Sequence, residues 1–309
     1  MKNIRPMGAT GTTKEKIEAA YINPDYVAEK KFDGSRYVIQ IDNKRNIQLT
    51  SRSLSVKGGM CDKTDRVPQI IEDIKKISKE IILDGEIDIL EGRNFHYVQG
   101  CMGSLFERAI QIQKEEQMLY YKCFDILEYK GEDLRNRPLR ERRKILEELF
   151  KENKFKYIKL VEQVKDERGK RELFDIEIEN GSEGIILKNL NSIYLEDKRP
   201  SNTWLKVKLT QTYDGIITGY HLGTGKYTGM IGSLIVSQYL NGELVEVADC
   251  GGIKDELREE LKKRIDKGEK IIITFKAQEI ETAHNRYRHP RFSHIRLDKP
   301  EKECIYGQT

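Results

Sequence analysis

The chain has 309 residues, 38% of them hydrophobic and 34% charged, and its 55 Lys and Arg against 51 Asp and Glu leave a formal net charge of +4. Single cores stop growing near roughly 250 residues, so this length suits one domain plus a smaller second one, and the composition excludes both global disorder and a bulk-basic protein. No apolar run approaches the roughly 20 residues that span a bilayer, the N-terminus lacks a signal-peptide core, and five widely spaced cysteines without a C-x-x-C pair provide neither a disulfide framework nor a zinc site, so a cytoplasmic protein with free thiols is the expectation.

In chain order, residues 26–32, 36–42 and 47–52 read as short β-branched and aromatic runs separated by Gly34 and Asn43, hence a meander. Ile70, Ile71, Ile74 and Ile77 then share helical spacing. Residues 81–90 read as a strand broken at Asp84-Gly85, 105–118 as a helix, and 120–127 as an aromatic-rich strand. Pro138 opens a charged helix to about residue 152, with Leu139, Ile145, Leu146 and Leu149 on one face. Residues 183–188 and 204–208 are two further strands. Beyond Lys208 the texture becomes β-rich: 216–220, 233–239, 244–248 and 271–276 alternate, Asn241-Gly242 signals a two-residue hairpin, and one helix over 254–266 ends at Gly268. About five strands with one inserted helix suit a small Greek-key barrel of the OB type, a fold often used on nucleic acids. The boundary falls near Leu209, giving domains over 1–209 and 210–309 and an α+β protein.

Lys31-Phe32-Asp33-Gly34-Ser35-Arg36 is the most informative stretch. A lysine at a strand end followed by a tight Asp-Gly turn holds an amine at the mouth of a pocket, and the turn returns Arg36 to the same side. An attacking lysine must be neutral, yet with a pKa near 10.4 only about one in 2,500 is neutral at pH 7, so burial and neighbouring cations would have to depress it by a few units. Taken alone, the stretch reads equally as a solvated turn with incidental charges.

In this chain it heads an ordered series. Glu29 stands two residues before Lys31, completing E-x-K-x-D-G-x-R. Ser51-Arg52, Leu83-Asp84-Gly85-Glu86, Phe124-Asp125-Ile126-Leu127, Glu183-Gly184-Ile185-Ile186-Leu187-Lys188, Trp204-Leu205-Lys206-Val207-Lys208 and Arg296-Leu297-Asp298-Lys299 follow. With these motifs the sequence resembles the ATP-dependent DNA ligases of the covalent nucleotidyltransferase superfamily over nearly its whole length. W-L-K-V-K, together with Arg288-His289-Pro290-Arg291-Phe292, favours DNA ligases over the other branches. The resemblance implies an adenylation (nucleotidyltransferase) domain of antiparallel sheets and helices followed by an OB-fold domain.

It also implies roles. Lys31 would be the nucleophile that takes AMP, and Glu29 would accept a hydrogen bond from the adenine amino group. Arg36 and Arg52 would hold ribose and phosphate, Glu86 the ribose hydroxyls, and Phe124 would stack on adenine. Glu183 and Glu86 would serve Mg²⁺ (or Mn²⁺), with Asp33 beside them, since a hard cation takes one or two carboxylates plus phosphate oxygens and water. Lys206 and Lys208, two apart on a strand, would point the same way at the α-phosphate. Arg296, Asp298 and Lys299 would orient the pyrophosphate leaving group. Arg199 falls near the position of a further ATP-contacting arginine, with one residue more before Trp204 than the common spacing.

The function implied is ATP-dependent sealing of 5′-phosphate/3′-hydroxyl nicks in duplex DNA, in repair, replication or recombination, by a monomer. Only about 30 residues precede Lys31, so the minimal two-domain form of phage and bacterial ligases and of bacterial end-joining ligase domains is expected, without a helical DNA-binding domain. RNA ligases and mRNA-capping guanylyltransferases share K-x-D-G and are the rival enzymes; a catalytically silent OB-type nucleic-acid-binding protein is the rival of another class. Two features are set aside. Gly223-Thr224-Gly225-Lys226 lacks the first glycine and the Ser or Thr of a phosphate loop, and the basic run 135–144 reads as a solvated helix face.

Overall fold

The computed structural model describes residues 1–54, 59–91, 95–209, 211–278, 280–281 and 284–308. The chain divides into two compact units, Met1–Val207 and Lys208–Thr309.

The first unit begins with β1 (Thr10–Gly11), α1 (Lys14–Ile22), β2 (Tyr26–Lys30), β3 (Ser35–Ile41), β4 (Ile47–Leu54), β5 (Met60–Asp62), α2 (Pro68–Ile74) and β6 (Ile81–Asp88). It continues with α3 (Phe95–Gly103), α4 (Phe106–Glu115), β7 (Tyr120–Tyr129), β8 (Glu132–Asp133), α5 (Leu139–Glu152), β9 (Ile158–Leu160), α6 (Glu167–Glu179), β10 (Ile185–Asn189) and β11 (Trp204–Val207). Two sheets result. The larger runs β5-β4-β3-β6-β7-β8, with β9 parallel to β7, and the smaller runs β1-β11-β10-β2.

Strand alternation decides which side chains meet. On the larger sheet Tyr37, Ile39, Ile41, Leu83 and Ile87 pack with Ile70 and Ile74 of α2 and Leu146 and Leu149 of α5. The residues between them, Val38 and Ile82, face the other way and join Phe124, Tyr194 and Trp204 in a second cluster. On the smaller sheet Ala28, Ile185, Leu187, Leu205 and Val207 pack with Ala20 and Tyr21 of α1. The intervening residues of those strands are left for the side that carries the site.

Several expectations change. β6 is not broken at Asp84-Gly85. It stays paired with β3 through Val38↔Asp84 and Tyr37↔Gly85, and the irregularity is confined to its register with β7. Gly85 lies under Tyr121, where an added Cβ would come within 2.5 Å of the ring, so glycine here marks close approach and not an end. The 105–118 helix is shorter, Phe106–Glu115, and is preceded by the separate α3.

The second unit holds β12 (Gln211–Leu222), β13 (Ile231–Leu240), β14 (Glu243–Cys250), α7 (Asp255–Asp266), β15 (Ile271–Ala277), β16 (Ile280–Glu281), β17 (Arg286–Tyr287) and β18 (Arg291–Arg296). Its main sheet runs β14-β13-β12-β15-β18, around a core that includes Leu234, Val236, Ile273 and Phe275. Asn241 and Gly242 join β13 to β14 with φ of 52° and 87°, the positive pair that a primed hairpin turn needs. Gly251, just past β14, forms a parallel bridge to Arg291 on β18, and the Phe292 N–H donates to the Gly251 carbonyl at 2.8 Å. All five cysteines are free thiols. Among the described residues no helix is long and apolar enough to cross a membrane.

Candidate active site

Strand register assembles this site. Antiparallel pairing of β2 with β10 sets Glu29 opposite Ile186, and pairing of β10 with β11 sets Ile186 opposite Lys206. One rung across three strands therefore carries Glu29, Ile186 and Lys206 on the same face, with Lys188 and Trp204 as the next pair along. In the larger sheet Arg36 on β3 pairs with Glu86 on β6. Motifs up to 177 residues apart in sequence are neighbours by hydrogen-bonded registration alone (206 − 29).

Lys31 directly follows β2. Its N–H donates to the Gly184 carbonyl at 3.0 Å, and its ammonium pairs with the Glu183 carboxylate. The turn beyond it passes so close to β6 that a Cβ on Gly34 would lie 2.2 Å from the Ile87 carbonyl oxygen. The Gly34 N–H donates to Glu86 Oε1 at 3.0 Å, tying that turn to the carboxylate. Burial pushes the Glu86 carboxyl up to about 7, against the opposing pull of Lys31 and Arg36.

A cavity of about 190 Å³ opens between the free faces of the two sheets. Glu29, Lys31, Arg36, Arg52, Glu86, Phe124, Arg199 and Lys206 all line it. The Arg36 guanidinium forks onto Asp84, Nε to Oδ1 and Nη2 to Oδ2, both at 2.5 Å, and lies 4.4 Å from the centre of the Phe124 ring. Asp84 is 0% exposed and also accepts from the Tyr194 hydroxyl at 2.6 Å. Burial disfavours the Arg36 charge, but Asp84 more than offsets this and holds it protonated. Phe124 meets Trp204 edge to face at 5.9 Å, which fixes an aromatic wall.

At the same wall, Glu29 pairs with Lys188 at 2.6 Å and accepts from Gln163 Nε2 at 2.8 Å. Burial draws the Lys188 pKa down, with Glu29 opposing. Lys188, Asp84 and Tyr194 were not singled out from sequence. The signal for Lys188 was present, since it stands two residues after Ile186 on one strand; the partnership of Asp84 with Tyr194 joins residues 110 apart and leaves no local trace.

Six expected residues, Asp33, Glu183, Lys208, Arg296, Asp298 and Lys299, lie outside the cavity wall. Glu183 is reached through its pair with Lys31. Lys208 does not continue the alternation from Lys206, because β11 ends at Val207; it belongs to the second unit, where it donates to Gln278 Oε1 at 3.2 Å. Arg296 and Lys299, also in the second unit, both donate to Asp214 Oδ2, at 3.0 and 2.8 Å. Of the features set aside, the basic run keeps Arg140 and Lys144 exposed, whereas Arg142 and Arg143 are built into the fold, Arg142 in a fully buried pair with Asp125 at 2.8 Å. Lys226 lies 3.5 Å from Asp255.

Among the described residues no group of three or more His, Cys, Asp or Glu side chains is assembled for a metal. A cation here would rely on Glu183 and Glu86 with phosphate oxygens and water, a donor set that suits Mg²⁺ and would not hold it firmly without the nucleotide. Chemically, the cavity offers an aromatic wall, a carboxylate beside it, and a set of lining cations that includes Lys31, Arg36, Arg52, Arg199 and Lys206, complementary to a nucleoside phosphate.

Comparison with known proteins gives a consistent picture. The ATP dependent DNA ligase domain family matches residues 6–208. The DNA ligase of Thermococcus onnurineus is 31% identical over 334 aligned residues, which cover 98% of this chain and 57% of that protein. The DNA ligase of Archaeoglobus fulgidus is 32% identical over 301, covering 89% of this chain and 52% of its own. The chain thus spans little more than half the length of these relatives. Among solved structures, a Lig E DNA ligase described as binding DNA with a minimal scaffold superposes with a TM-score of 0.69 over 96% of this chain and 100% of its own, at 18% identity. The ligase domain of M. tuberculosis LigD gives 0.54 over 98% of each chain, at 22%. These two likenesses concern the fold.

Proposed function

Since the chain belongs to the ATP-dependent DNA ligase family, we propose that it seals 5′-phosphate/3′-hydroxyl nicks in duplex DNA through a covalent lysyl-AMP intermediate, acting as a monomer. The observation that carries this reading is the single cavity in which Lys31 meets the Arg36, Arg52 and Lys206 cations and the Phe124 ring.

Lys31, after losing its proton, attacks the α-phosphorus of ATP. An N–P bond forms, the bond to the bridging oxygen breaks, and pyrophosphate leaves. The AMP then passes to an oxygen of the DNA 5′-phosphate, regenerating the Lys31 amine, and the 3′-hydroxyl displaces AMP to close the phosphodiester. Glu29 reads the adenine amino group, Phe124 stacks on the base and Glu86 holds the ribose hydroxyls. Arg36, Arg52 and Arg199 take ribose and phosphate oxygens, and Lys206 with Lys208 offsets charge on the α-phosphate. Glu183 and Glu86 are the residues that would hold Mg²⁺, which when bound would supply Lewis-acid chemistry toward the phosphate oxygens. Arg296 and Lys299 orient the pyrophosphate.

We read the second unit as an OB barrel. The strand order β14-β13-β12-β15-β18, with Gly251 and Arg291 linking the two outer strands and α7 placed in the chain between β14 and β15, supports this.

Incubation with α-labelled ATP and Mg²⁺, then a chase with nicked duplex DNA, tests the reading. Label is expected on the wild type and should be released on chase with sealed product, whereas Lys31→Ala takes none. An unlabelled wild type, a labelled Lys31→Ala, or labelling by GTP in preference to ATP would overturn it.

A further inference from the structure

The second unit contains a side-chain cluster whose organising residue has no role in the steps above. Asp214, on β12, is buried, and its carboxylate gathers three donors: the Thr274 hydroxyl on Oδ1, and Arg296 Nη1 and Lys299 Nζ together on Oδ2, at 3.0 and 2.8 Å. Its main chain is anchored as well. The Asp214 carbonyl accepts from Gln238 Nε2 at 2.7 Å, and Gln238 Oε1 accepts from the Tyr287 hydroxyl at 2.8 Å. Arg296 in turn is bidentate on Asp298, at 2.8 and 2.9 Å.

We propose that Asp214 is a positioning residue for the first chemical step, holding Arg296 and Lys299 side by side on one oxygen so that they meet the pyrophosphate end of ATP as a preformed pair. This rests on the reading of Arg296 and Lys299 as the cations that orient that leaving group.

The argument begins with where these cations sit. Arg296 ends β18, Lys299 follows in irregular chain, and Leu297 between them is 90% exposed, so the local backbone packs little that would fix two long side chains. Lys and Arg carry large rotamer entropy, and ordering both at the moment of reaction would be costly. A shared carboxylate oxygen on an anchored strand orders them beforehand. Three of the five guanidinium N–H groups of Arg296 and one of the three ammonium protons of Lys299 are engaged in these bonds, which leaves donors on both for phosphate oxygens. Withdrawal of both cations would strand a buried carboxylate without counter-charge, so they act from Asp214 and not away from it. Although burial works the other way, Lys299, Thr274 and Arg296 hold the Asp214 carboxyl below the ordinary carboxylate range, consistent with a permanently ionised anchor.

Two rates measured on the same preparations test this: single-turnover self-adenylation by ATP, and sealing of a nick that already carries the 5′-adenylate, a step with no pyrophosphate to orient. Asp214→Asn is expected to lower adenylation at least 10-fold and to leave sealing of the pre-adenylated nick within about 2-fold. Asp214→Glu keeps the charge but moves the shared oxygen, and should show the same step-selective loss to a smaller extent. Thr274→Val, which removes the contact on the other oxygen, is expected to adenylate within about 3-fold of wild type. Equal losses on both reactions would mean that Asp214 only supports the fold. Faster adenylation by Asp214→Asn would make it a restraint and not an aid, and an unchanged rate would remove any role; each result overturns the proposal. A wild type that takes no label would instead break the ligase reading itself.

Discussion

The cations of the two units are held by carboxylates in contrasting ways. In the first unit, Arg36 rests on Asp84 inside a network that continues to Tyr194, with the Phe124 ring on its face, and Lys206 is placed by a strand rung. In the second unit, Arg296 and Lys299 stand at a strand end and in the chain after it, and one of their two carboxylates, Asp298, has a side chain 72% exposed. Secondary structure fixes the first set before any ligand arrives. In the second, β18 sets Arg296 opposite Ile272 but Lys299 lies beyond the strand, and both side chains converge on Asp214, so a single carboxylate can govern two cations.

The sharpest way to break this comparison is Asp84→Ala. It would strand the largely buried Arg36 charge, and loss of one partner of a buried pair costs about 3–5 kcal/mol of folding stability, read by chemical denaturation. A loss below about 1 kcal/mol would show that the network is not what holds Arg36.

A smaller effect separates the units by pH. The folded-state pKa of Glu86 lies at about 7, above its ordinary 4.5, so the folded state binds this proton more readily than the unfolded one. Ionised Glu86 therefore weakens the first unit, and stability should rise as pH falls from about 7 towards 4.5, a slope that Glu86→Gln should flatten in a melting series. Asp214 has the opposite sign. Its folded value is depressed, so its stabilisation is fully present above the ordinary 3.8 and is lost only on acidification below that.

The smallest effect is expected for Asp298→Asn. This carboxylate is exposed, and solvent screens its pair with Arg296, so the melting temperature should match wild type within error. A clear drop would show that the second cluster is as deeply built in as the first.

Much of the site was legible because its residues fall on strands, where a period of two is visible in the chain. Leu205-Lys206-Val207 shows its two faces by alternation, whereas Ile185-Ile186-Leu187 is a continuous apolar run whose faces only the pairing of β10 resolves. Which strands pair was not legible, since β2, β10 and β11 are brought together by non-local hydrogen bonds. Helix α3 escaped because Gly100 and Gly103 give it the texture of a loop. Helix α1 offers only Ile17, Ala20 and Tyr21 as an inward face, and α6 was hidden among its charges although Asp166 caps it through the Gly169 N–H. The strand expected over 204–208 ends one residue early, at Val207, so alternation along β11 places Lys206 but does not extend to Lys208. Asp214 was invisible, being 82 residues from Arg296 with no motif around it.

The rung Glu29–Ile186–Lys206 also determines where this chain can change length. A residue inserted within β10 or β11 would turn Lys188 or Lys206 toward the apolar layer that holds Leu187 and Leu205, and would empty the cavity wall in the same stroke. The connection between those strands, residues 190–203, carries no ladder, so an added residue there leaves Lys188 opposite Trp204. The extra residue between Arg199 and Trp204 lies in that connection, and Arg199 still reaches the cavity wall. Variation in length between the two motifs thereby spares the strand ladder when it falls in this connection, provided that Tyr194 and Arg199 keep their places on Asp84 and at the cavity wall.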